Sequence, residues 1–260
     1  MTFTFIHSIQ SELLKTKRSV ALWLTVIGGF FIPAIRLYYS LTHHNPDPKK
    51  VIGEIWVKHF MLNWQYMAYL LLPMGVILAS SLITQIEYRN NTWKQLHTTP
   101  QPLTIIFFTK IIVILILLLQ FFVFFNIGVL LSGFILGIVY NDLPFLNQEI
   151  PILLFFVLNI KLFIGCLPVI GLQYLLSLYF KNYLVPIGTG LLFFIGSLIG
   201  ARWEYAFLLC YNYCGVIFDS ISMRTSPVAV KFNVYLYSIC FFLIFTFISY
   251  MLYLTKKEKG

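Results

Sequence analysis

The chain has 260 residues, of which 59% are hydrophobic and only 10% charged, with a net charge of +9. Soluble domains carry about 25% charged residues, and a water-soluble fold of this size cannot hide so much apolar surface. An ordinary soluble domain is therefore excluded, and several membrane spans are expected.

At the N-terminus, SELLKTKRS (11–19) places Glu12, Lys15, Lys17 and Arg18 ahead of the long apolar run, and no small-residue cleavage site follows that run. This order argues against a cleavable signal peptide. A helix needs roughly 20 apolar residues to cross the hydrocarbon core. Six segments meet that need, at about 19–40, 66–86, 105–139, 152–180, 183–200 and 233–254. The third and fourth exceed the minimum, which predicts tilt or protrusion. Pro33, Pro73, Pro168 and Pro186 fall in or near spans, where neighbouring groups re-satisfy the freed carbonyls.

The run WEYAFLLCYNYCGVIF (203–218) is apolar, but it is short and is broken by Asn212 and Gly215. Interfacial or re-entrant helices are predicted there rather than a seventh span. The chain reads as one all-α membrane domain over 1–260, without repeat or linker.

Six spans put both termini on one side. That side would hold ten basic residues, among them Lys15, Lys17, Arg18, Arg89, Lys94, Lys110 and Lys181, against Glu12, Glu87 and Glu258. The opposite side would hold six basic and six acidic residues. The positive-inside rule then predicts both termini in the cytoplasm. Basic residues placed between apolar runs serve orientation, and no nucleic-acid partner is implied.

Charges and amides within the spans have two readings each. Lys161 lies well inside the fourth span, where it lines a path or snorkels. Arg36, near the outer end of the first, fits snorkelling. Asn126 and Gln120 in the third would seek a cross-helix hydrogen bond or line a path. Gly133-x3-Gly137 and Gly196-x3-Gly200 have the spacing for close helix approach. Cys166, Cys210, Cys214 and Cys240 form no CxxC pair; Cys210 and Cys214 share a helical face and suit apolar packing, with a disulfide or metal role as the alternative. His43, His44 and His59 fall in the predicted first outer loop, where solvation is the expectation and a metal site the alternative.

Between the second and third spans lies EYRNNTWKQLHTTPQP (87–102), the longest polar run that is compatible with a helix. Asn90 or Asn91 suits its cap, and Pro100 and Pro102 end it. Trp93 fits the lipid interface. The result is a short polar knob on the cytoplasmic side.

The chain carries no GxxxxGK[ST], HExxH or GxSxG. No catalytic residue, metal set or cofactor site is predicted, and the chain does not read as an enzyme.

The pattern Glu87-x4-Thr92-x3-Leu96-x3-Pro100, followed by Lys110, resembles the loop between spans two and three of type-2 ATP-binding-cassette (ABC) transporter permeases. SELLKTKRS resembles their amphipathic lead-in helix, and the six spans and long last outer loop fall in matching order. Within that family, the chain's small size and its opening look closest to lantibiotic-immunity and related peptide exporters. The resemblance implies a permease subunit paired with a second permease, alike or different, and gripped by a cytoplasmic ABC ATPase that holds ATP and Mg. It also implies that Glu87, Arg89, Asn91, Thr92, Lys94, Gln95, Leu96 and Pro100 couple ATPase closure to the spans. Glu12, Lys15, Lys17 and Arg18 would belong to the flanking lead-in helix. Cargo would be a hydrophobic or amphipathic peptide, drug or lipid. A lipid-acting membrane enzyme and a non-catalytic anchor subunit are the alternative readings.

Overall fold

A computed structural model describes residues 2–17, 19–43, 54–89, 102–140, 143–180, 182, 184–222 and 232–255, and the described residues contain no strand. The helices are α1 (Thr2–Thr16), α2 (Val20–Thr42), α3 (Ile55–Tyr66), α4 (Leu72–Arg89), α5 (Leu103–Val139), α6 (Ile152–Tyr179), α7 (Leu184–Ile199), α8 (Tyr213–Ile221) and α9 (Val234–Thr255). A π-turn at Met67–Leu71 joins α3 to α4, so the two run as one rod.

Five of these rods are long and apolar enough to cross a membrane: α2, Ile55–Thr84, α5, α6 and α9. The predicted fifth span is the exception. Helix α7 has 16 residues, about 24 Å at 1.5 Å per residue, which falls short of the roughly 30 Å core. Its length is cut by Gly200, where the backbone tightens into a 3-10 turn. Helix α5, with 37 residues, is about 55 Å long.

The second span begins 11 residues earlier than hydropathy suggests, at Ile55. Its first turns read IWVKHFMLNWQY, too polar on average to stand out. Yet Trp56, Phe60 and Trp64 recur every fourth residue on one buried face. Phe60 stacks on Phe155 with ring centroids 3.6 Å apart, and Trp64 meets Phe125 edge-on at 4.5 Å. His59 is therefore not in a solvated loop. It is buried in α3, where Ser132 Oγ lies 2.9 Å from its Nε2.

The core is an aromatic and aliphatic layer in which α2 lies along α5, while α4 and α9 lie along α6. Small residues set the closest crossings. A Cβ at Gly29 would come within 2.8 Å of Phe124, and one at Gly133 within 2.5 Å of the Trp56 ring. The Gly133–Gly137 spacing thus serves packing inside the chain, whereas Gly196 faces open space.

The stretch after α7 turns back into the bundle. Residues Tyr213 to Phe218 of α8 are all buried, Gly165 lies under Ile217, and Cys166 Sγ is 3.4 Å from Cys214 Sγ. The four cysteines are free thiols; Cys214 neighbours Cys166 of α6, not Cys210.

Candidate functional site

Helix α1 docks on the first turns of α5 through a polar stripe. Ser8, Glu12 and Thr16, spaced by four, are its buried positions, while Ile6 and Leu14 are exposed. Leu13, beside this stripe, is partly buried against the hydrophobic core. Glu12 Oε2 accepts from the Lys110 ammonium at 3.3 Å, and Glu12 also pairs with Lys15 on its own helix. Thr109 Oγ1 lies 3.3 Å from Ser8 Oγ. Lys110 is 1% exposed, so the ion pair lies on the buried side of the helix contact. Burial alone would raise the Glu12 carboxyl, but the charges of Lys110 and Lys15 and their hydrogen bonds outweigh it and hold the group below its ordinary value of 4.5.

Lys15 and Lys17 are exposed on the same helix, and Arg18 lies outside the described residues. Glu87 and Arg89 stand in the last turns of α4. Asn91, Thr92, Lys94, Gln95, Leu96 and Pro100 lie outside the described residues. The described chain resumes at Pro102, which precedes the first turn of α5. Lys110 is two turns further on. The docked α1 is therefore attached to the helix that the polar segment feeds.

Within the bundle, Asn126 and Asn159 form a reciprocal amide pair between α5 and α6. Asn126 Nδ2 donates to Asn159 Oδ1 at 2.8 Å, and Asn159 Nδ2 donates to Asn126 Oδ1 at 3.1 Å. Each amide also donates to a carbonyl one turn back, Phe122 and Phe155. The expected cross-helix bond of Asn126 is present. Gln120 and Lys161 are half-buried and make no hydrogen bond or ion pair among the described residues.

A second polar centre, at Gln173, was missed by sequence reasoning. Gln173 is fully buried in α6. Its Nε2 donates to Ser81 Oγ at 2.8 Å and to the Pro186 carbonyl at 2.6 Å, while its Oε1 accepts from the Tyr211 hydroxyl at 3.1 Å. One amide thus ties α4, α6, α7 and the turned-back stretch together. The signal was present: an amide in a run of apolar residues needs partners inside the protein.

The arrangement is a multi-span helical membrane protein with an amphipathic helix clamped at one end. A family model for the ABC-2 family transporter protein matches residues 8–197, from within α1 to within α7. The chain belongs to that family and is a membrane permease component of an ABC transporter; the family implies association with an ABC ATPase subunit. Neither a curated protein nor a solved structure matches the chain.

Proposed function

We propose that the chain is the membrane subunit of an ATP-driven exporter and that the segment Glu87 to Pro100 is its coupling element. The observation that carries this reading is the family match together with the ion-paired docking of α1 on α5, directly after that segment. A chain without a phosphate-cradling loop draws its energy from a partner. In this reading the ATPase binds ATP and Mg, closes, and pushes the 87–100 knob. The push reaches α5, and α1 moves with it because the buried Glu12–Lys110 ion pair ties the two helices together. The permease works as a pair with a second permease chain, identical or not, in a bacterial inner membrane with both termini cytoplasmic. Helix α7 with its 3-10 extension makes the fifth of six crossings.

Cargo is hydrophobic or amphipathic, with peptides of the lantibiotic kind as the first class to test. Lys161, Asn126 and Gln120 line the path in this scheme. The experiment is co-purification with a co-expressed ABC ATPase, followed by ATP turnover in proteoliposomes. Substitution of Glu87, Thr92 and Leu96 by Ala should reduce ATPase association and substrate-stimulated turnover at least tenfold. Unchanged association and turnover would overturn the coupling assignment.

A further inference from the structure

Helix α6 and the turned-back stretch meet at two successive rungs. At the first, Gln173 Oε1 accepts from the Tyr211 hydroxyl at 3.1 Å. Two turns earlier on the same face of α6, Cys166 Sγ lies 3.4 Å from Cys214 Sγ. Tyr211 belongs to the 3-10 turn that runs straight into α8, and Cys214 stands in the first turn of that helix. The hydrogen bond therefore sets the register in which the two sulfurs meet.

A glycine lets the backbones come together. A Cβ at Gly165 would lie 3.4 Å from Cys214 Sγ and 3.6 Å from its Cα. Cys166 is fully buried and Cys214 nearly so. The Cys214 thiol also lies 3.8 Å from the Leu162 carbonyl, a weak contact for sulfur. A reduced cysteine packs as a small hydrophobe against any methyl group, so packing alone does not require that the two sulfurs face each other. An S–S bond is roughly 2.05 Å long, so closure takes a movement of about 1.4 Å, within reach of small side-chain rotations.

In the proposed orientation, α7 delivers the stretch to the outer face and α9 carries the chain back in. The stretch thus folds into the bundle from the side on which disulfides persist. Cys166 is already in place on α6 when Cys214 arrives.

We propose that Cys166 and Cys214 are joined by a disulfide that staples α8 to α6, formed by exchange with an external disulfide oxidant, RSSR, while the stretch docks. The bond requires the proposed orientation. The Cys214 sulfur attacks RSSR, giving a mixed disulfide and one RSH. The Cys166 sulfur then attacks the Cys214 sulfur, and the departing RS⁻ takes the Cys166 proton. Two protein thiols are oxidised and one RSSR is reduced to two RSH.

Label counting tests this. Cells are quenched in acid, and the denatured full chain is treated with N-ethylmaleimide before and after reduction. Of its four cysteines, the wild type should label two before reduction and four after it. Cys210→Ser should keep that difference of two, and Cys214→Ser should abolish it. Complete reduction should lower the wild-type melting temperature in detergent by about 5 °C and leave that of the Cys166→Ala, Cys214→Ala double variant unchanged. Four labels on the wild type before reduction, or a linkage through Cys210 or Cys240, would overturn the proposal. An unchanged wild-type melting temperature after complete reduction would remove the stapling role. Labelling of Lys94→Cys in intact cells separates the ways to fail. Four labels with position 94 reached from outside put the stretch in the reducing interior and refute the orientation as well. Four labels with position 94 shielded refute the bond alone.

Discussion

Lys110 and Gln173 show how a bundle in lipid handles polar atoms: each is buried almost completely and each is given partners from another helix. Removing one member of a buried charge pair costs far more than removing both. Glu12→Gln is therefore expected to lower stability by about 3 kcal/mol, read as a fall in the unfolding midpoint in detergent, while Glu12→Leu combined with Lys110→Met recovers most of the loss. The pH dependence has a definite sign. A carboxyl lowered on folding adds stability that is present above its unfolded value, here 4.5, and that fades as pH falls through its lower folded value. Wild type should lose stability on acidification below that value, and Glu12→Gln should lack this component. For the second centre, Gln173→Leu leaves the Tyr211 hydroxyl without its acceptor and should cost about 1–3 kcal/mol. Tyr211→Phe should cost about 1 kcal/mol, measured by the same melts.

Helix starts follow packing as much as hydropathy. Hydropathy places α2, α5, α6, α7 and α9 to within a few residues, because each is a nearly uninterrupted apolar run. It misses the first turns of the second rod, since Lys58, His59, Asn63 and Gln65 dilute the average while Trp56, Phe60 and Trp64 do the packing. An every-fourth-residue search for aromatics finds that segment. The shortness of α7 is not legible in the same way, as its apolar run continues into Gly200 and the break comes from the backbone. At this scale two glycines give contrasting expectations. Gly29→Leu would drive a side chain into Phe124 and the Phe125 backbone and should cost about 1–3 kcal/mol or more. Gly196→Leu has room and should leave the melting temperature of the single chain unchanged. If Gly196→Leu nonetheless abolishes self-association on size-exclusion chromatography, that face belongs to the subunit pairing.

Over the whole molecule, orientation rests on charge asymmetry between the loops. A cysteine introduced at Lys94, in a variant without native cysteines, should react with an impermeant maleimide only after the cells are opened; labelling of intact cells would invert the topology. The family and the all-helical class were both legible, because composition forbids a soluble fold and the polar run between the second and third spans stands out against apolar neighbours. The residues of that run were legible as a pattern, but those from 90 to 101 lie outside the described residues. What the sequence alone did not disclose is which polar residues meet: Glu12 with Lys110, Asn126 with Asn159 and Gln173 with Tyr211 are separated by 98, 33 and 38 positions. No local periodicity links such distances.

The first of these separations has a consequence for biosynthesis. Glu12 is synthesised about 5–20 s before Lys110 at ordinary elongation rates. Throughout that interval the leading helix has an unfinished polar flank and nowhere within the nascent chain to seat it. It must wait, with Glu12 paired only to Lys15 of its own helix, until the third crossing is threaded. Clamping of the N-terminal helix is thus a late event in assembly, and it can occur only once the insertion of α5 has been completed.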